Sequence, residues 1–161
     1  MSKSNQFVVF CLDNQKYALS LPDVDRVVRT VEITRLPKAP EIVIGVINIQ
    51  GRITPVINIR KRFRLPEREI NPGNRFIIAD TSKWMVAFVV DEVRGVIESR
   101  GQEMVTAEKI LPGMEYVEGV VKLADGIVFI HDLDKFLSLE EEKNLTMQSR
   151  KQARNDRHNF R

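Results

Sequence analysis

The chain has 161 residues, 43% hydrophobic and 29% charged, which suits one compact unit or two small ones sharing a core and argues against global disorder. Its formal charge of +3 is unevenly spread: residues 1–139 hold 19 Lys and Arg against 18 Asp and Glu, and residues 140–161 hold 6 against 4. The body is therefore nearly neutral and lacks the overall basic footprint of a nucleic-acid binder.

Short apolar runs separated by turn residues dominate, and helical periodicity is scarce. Phe7 to Leu12 predicts a strand ended by Asp13-Asn14, with Tyr17 to Leu21 as its return. Ile44 to Ile49 and Ile53 to Ile57 flank Gln50-Gly51-Arg52, where Gly supplies the positive φ that a tight turn needs. Pro55 inside that second run predicts an edge, a bulge or a strand start. Arg64 to Asn74, with Pro66, Pro72 and Gly73, reads as a connector. Arg75 to Ala79 and Trp84 to Val90 form the next pair, and Val117 to Leu123 with Ile127 to Ile130 the last. Strands this short, with turns at this spacing, predict small barrels or a sandwich.

The chain also repeats itself. The run from Gly45 to Ile57 is echoed by Gly119 to Ile130, and each leads into a short segment that predicts one or two helical turns, Asn58 to Phe63 and Asp132 to Leu137. Earlier in each half, Val24-Asp25-Arg26-Val27-Val28 matches Val93-Arg94-Gly95-Val96-Ile97. The period of about 70 residues exceeds those of solenoids, so one β module is used twice. The expected organisation is a domain over 1–139, with halves at about 6–64 and 75–138, followed by a charged tail over 140–161 that is frayed helix or disordered extension.

In Phe7 to Leu12 both alternating faces are apolar. A small barrel has one interior, so the second face must be covered. The plainer reading is burial between the halves. The other is a partner surface with Phe10, Leu21 and Val24 at its apolar centre.

Chemistry has little to stand on. His131 and His158 are the two histidines, and neither neighbours a Ser or Cys nucleophile in a catalytic arrangement; His131-Asp132 reads as a solvated turn with a helix cap at Asp132. The single cysteine, Cys11, and two distant histidines do not make a zinc spacing, and no glycine-rich phosphate loop is present. No enzymatic activity, cofactor, metal or small-molecule substrate is expected. One cysteine excludes an intramolecular disulfide and suits a reducing compartment. With no signal-like stretch after Met1, and no apolar run near the roughly 20 residues of a membrane helix, a cytoplasmic location without membrane insertion is expected. The alternative function is a small-barrel nucleic-acid binder using the basic cluster Arg52, Arg60, Arg62 and Arg64, although paired exposed aromatics are not evident beside it.

The run Leu36-Pro37-Lys38-Ala39-Pro40, then Gly45-Val46-Ile47-Asn48-Ile49, Gly51 and Pro55-Val56-Ile57-Asn58-Ile59, resembles the signature of the CheW-like chemotaxis coupling domain. Val90-Asp91-Glu92-Val93-Arg94-Gly95-Val96 resembles its second-half signature, and the resemblance covers about residues 6 to 138. It implies an all-β fold of two five-stranded SH3-like barrels around a shared core, with short helices. It also implies a non-enzymatic adaptor that binds the regulatory domain of a CheA-type histidine kinase on one surface and the cytoplasmic tip of a chemoreceptor, a methyl-accepting chemotaxis protein, on another. Matching the family segments places kinase binding at Phe10, Leu21, Val24 and Arg26, and receptor binding at Asn48, Gln50, Arg52, Val93 and Val96. Two positions depart from the family: Gln50 stands where an arginine commonly precedes the glycine, and Arg26 where the residue is often acidic or neutral. A Gln opposite an Arg would avoid a like-charge contact.

Overall fold

The computed structural model describes residues 5–81, 84–99, 104–106, 117–124 and 126–136; the predicted tail lies outside them. Among the described residues the chain runs β1 (Gln6–Leu12), β2 (Gln15–Ser20), a 3-10 turn (Leu21–Asp23), β3 (Val24–Arg29), β4 (Val43–Ile49), β5 (Arg52–Ile57) and α1 (Ile59–Arg62). It continues through β6 (Arg75–Asp80), β7 (Met85–Val90), β8 (Glu92–Glu98), β9 (Met104–Thr106), β10 (Val117–Leu123), β11 (Gly126–His131) and α2 (Leu133–Phe136). Among the described residues the fold is all-β with two single-turn helices, as the sequence predicts.

The repeat is visible residue by residue. Val24 pairs with Ala79 and Val27 with Ile77, as Val93 pairs with Phe10 and Val96 with Val8, each ladder slipping by one residue at the same place. Both long hairpins are also irregular one residue before their glycine, between Val43 and Gly45 and between Val117 and Gly119. The β4–β5 hairpin turns through Gln50 (φ 49°) and Gly51 (φ 84°), the pair of positive φ values that matches strand twist in two-residue turns.

The spatial units nevertheless cross the sequence halves. One sheet has six strands in the order β8-β1-β2-β11-β10-β9, and the other has five in the order β3-β6-β7-β5-β4. Each half thus gives its first hairpin to the other half's sheet, through the parallel pairings β2–β11 and β5–β7. The sixth strand, β9, has a counterpart in the second sheet: Val105 pairs with Val120 as Thr34 forms an isolated bridge with Val46. Pro55 lies where β5 is paired with β4 only, since pairing with β7 begins at Val56, so its missing N–H disrupts no ladder.

Three apolar clusters result. Phe7, Val9, Ala18, Val121, Val128 and Ile130 fill the first sheet's interior, and Ile47, Val56, Phe76, Ile78 and Ala87 fill the second's. Between the sheets lies the largest cluster, with Phe10, Leu12 and Leu19 from one side and Ile57, Ile77 and Phe88 from the other. The two apolar faces of β1 are therefore both buried, one inside its own sheet and one against the second sheet.

Candidate docking surface

Phe10 is fully buried. It lies in the central cluster, stacked near Tyr17 at 5.8 Å between ring centroids, on a strand flanked by β2 and β8. It is not a surface anchor, which corrects its expected place in the kinase-binding set: the sheet-to-sheet contact takes the face that the sequence leaves open to a partner. Leu21 is half-buried in the 3-10 turn, and Val24 is half-buried at the start of β3, against the central cluster. Arg26 is exposed and donates from Nε to Asp25 Oδ2 at 2.6 Å. Its partner is thus its neighbour and not Gln50, which sits in the β4–β5 turn at the other end of the strand order.

Asn48 is exposed, and its side-chain oxygen accepts from Gly51 N at 2.7 Å, so it braces the turn that presents Gln50 and Arg52. Both of those are exposed. Val93 is half-buried against the central cluster, whereas Val96 is 54% exposed. The nine expected contact residues thus divide between the β4–β5 turn, the 3-10 turn, the strands β3 and β8, and one core position.

Sequence reasoning named Val96 but missed three outward apolar residues that complete two equivalent pairs. Val27 on β3 is 40% exposed, and its repeat partner Val96 on β8 is exposed as well. Ile53 on β5 is 61% exposed and Ile127 on β11 is 48% exposed, and each stands one residue into the return strand of its hairpin. An isolated exposed Val or Ile is ordinary. Large apolar side chains kept outward at equivalent positions of both repeats are a different matter, since neither position is needed for the core. The repeat alignment contains this signal, but only once inward and outward positions are separated.

The basic cluster resolves into structural parts. Arg60 is buried, with Nη1 donating to Asp13 Oδ1 at 2.9 Å and to Pro66 O at 3.1 Å, and Nη2 donating to Asp91 Oδ1 at 2.6 Å. Arg68 reaches Asp13 as well, at 3.1 Å. Burial alone would raise the Asp91 carboxyl, but the Arg60 bond, the Asp13 N–H and the charges of Arg60 and Arg68 outweigh it and hold the pKa below the ordinary carboxylate range. Arg60 is therefore not available to a nucleic acid. Phe63 is no stacking platform either: it is half-buried, stacked on His131 at 4.4 Å and Tyr17 at 5.0 Å. His131 is itself buried at the end of β11, which corrects the expectation of a solvated turn; Asp132 does cap, accepting from Asp134 N at 3.0 Å. Asp23 is raised by burial first and then by Asp134, Asp132 and Glu118.

Two related β sheets sharing one core, each presenting outward apolar residues at matching positions, define a docking module. The CheW-like domain family matches residues 6–149, and the chain belongs to that family. It is 32% identical to the chemotaxis protein CheW of Bacillus subtilis (strain 168), over 86% of this chain and 90% of that protein. It is 27% identical to chemotaxis protein CheW of Treponema pallidum (strain Nichols), over 87% and 86%. The crystal structure of the scaffolding protein TtCheW from Thermoanaerobacter tengcongensis superposes with a TM-score of 0.77 at 31% identity, covering 86% of this chain and 95% of that one. Among the described residues no helix is long and apolar enough to cross a membrane.

Proposed function

We propose that this chain is a non-enzymatic, cytoplasmic adaptor of chemotaxis-type signalling, joining chemoreceptors to the regulatory domain of a CheA-type histidine kinase by protein–protein contact. The observation that carries this reading within the family is the duplicated outward apolar pattern, Val27 with Val96 and Ile53 with Ile127. An adaptor needs two docking faces, and a repeated module supplies two of similar design. The kinase face is assigned to Leu21, Val24, Arg26 and Val27, where a half-buried apolar centre meets a charged rim. The receptor face is assigned to the Asn48–Arg52 turn with Val93 and Val96.

The test is reconstitution with a CheA-type kinase and a receptor cytoplasmic fragment from the same organism, reading complex formation and kinase phosphorylation. The expected result is a ternary complex whose kinase activity depends on this chain and whose assembly depends only weakly on salt. Failure to bind either protein would overturn the reading.

A further inference from the structure

A groove of about 1210 Å³ runs between the 30–35 loop and the 65–74 connector, and the adaptor reading does not use it. Its apolar lining includes Val31, Ile33, Ile44 and Ile70, of which Val31 and Ile70 are exposed at 46% and 38%. Its charge is lopsided. Arg60 and Arg68 line it but are engaged with Asp13 and Asp91, and Arg35 is the other arginine among the described lining residues. Against these stand Glu32, Glu41, Glu67 and Glu69. Glu41 makes a long contact to Lys61 Nζ, at 3.6 Å, and Glu67 accepts from the neutral Asn58 amide. The groove is thus an acidic channel with apolar rims.

This chain carries a segment of the opposite design. Between Arg150 and Arg161 stand Arg150, Lys151, Arg154, Arg157 and Arg161 against Asp156 alone, with Phe160 as an apolar side chain near the end. We propose that this basic segment docks in the groove of its own molecule, its cations along the glutamates and Phe160 against Val31 and Ile70. The reach is sufficient: the stretch from Phe136 to Arg150 can extend about 45 Å, whereas a domain of this size has a radius of gyration of roughly 14 Å. Opposed charges at a partly apolar surface give an association that is reversible and salt-sensitive. The segment thereby covers one flank of the first β3–β4 connection until a competing partner or high ionic strength releases it.

The experiment places a nitroxide spin label on Asn155→Cys in the full chain. Cys11 is buried and reacts slowly, so labelling is selective. Paramagnetic broadening of backbone amides is then read at about 0.05 M and about 0.5 M salt, where the screening length falls from roughly 14 Å to roughly 4 Å. The expected result is loss of the amide signals of residues 31–35 and 67–74 at low salt and their return at high salt. Glu67→Lys with Glu69→Lys, both on exposed connector positions, should restore them at low salt with the remaining spectrum unchanged. Broadening spread evenly over the surface, or focused elsewhere, overturns the proposal. So does broadening that appears only when labelled and isotope-enriched molecules are mixed, because the occupant is then a second copy.

Discussion

Arg60 gathers three stretches of chain that are distant in sequence. Asp13 comes from the β1–β2 turn, Asp91 from the junction of β7 and β8, and the arginine from α1, and Asp13 N also donates to Asp91 Oδ2 at 2.9 Å. A guanidinium suits this place because its planar fork can serve two carboxylates and a carbonyl at once, which an ammonium cannot. Arg60→Met removes the cation and leaves two partly buried carboxylates facing one another. The expected cost is about 2–3 kcal/mol in urea unfolding, below the full figure for a buried pair because both aspartates keep some solvent. Arg60→Lys should lie between the two. Since the Asp91 pKa is lowered in the fold, its contribution is present above the unfolded value of about 4 and is lost as pH falls through the folded value. Asp91→Asn should therefore be less stable than the parent at neutral pH, and its stability should fall less steeply below about pH 4.

At the scale of elements, the start of α2 shows the opposite sign. Asp23, at the end of the 3-10 turn, is raised by burial first and then by Asp134, Asp132 and Glu118. A raised carboxyl favours the fold while protonated and loses that advantage as pH rises through the folded value, so at neutral pH its charge is a burden. Asp23→Asn is expected to raise the melting temperature at pH 7 and to leave it unchanged well below the ordinary carboxylate pKa. The β4 strand makes a steric counterpart. A Cβ on Gly45 would lie 2.4 Å from Thr34 O and 2.7 Å from the Ile33 side chain, where Thr34 N and O bond Val46 at 2.9 and 2.8 Å. Gly45→Ala should cost about 1–3 kcal/mol as overpacking and open this bridge, read as faster amide exchange at Val46. Elements of this kind are legible in the sequence because alternation and turn residues act locally. The strand pairs and both helical turns fall within about two residues of where the pattern puts them. The 3-10 turn and β9 are not legible, because neither has a periodicity of its own.

For the molecule as a whole, the repeat is legible and the exchange between repeats is not. Nothing in Tyr17-Ala18-Leu19 says that its second neighbour is Phe129-Ile130-His131, more than 100 residues later in the chain. The same ignorance governs the candidate site. Two apolar faces on β1 imply that something covers the second, but pattern alone cannot choose between a sheet and a partner, and the choice decides whether Phe10 is core or contact. The distinction makes the sharpest prediction for docking. Val24 and Val93 pack against the central cluster, whereas their neighbours Val27 and Val96 point outward. Val24→Asp places a carboxylate at the edge of that cluster and should lower the melting temperature by several degrees, because an unpaired charge is being moved away from water. Any loss of kinase binding in that variant is then mixed with unfolding. Val27→Asp and Val96→Asp add their charge on the solvent side, so the melting temperature should stay near the parent's. If these valines are anchors, Val27→Asp should weaken kinase binding by more than about 1 kcal/mol, a fivefold or larger rise in Kd by calorimetry. Val96→Asp should do the same toward the receptor fragment. Unchanged affinity in both, with melting temperatures preserved, would remove the two outward valines from the interface and move the docking faces to Ile53 and Ile127.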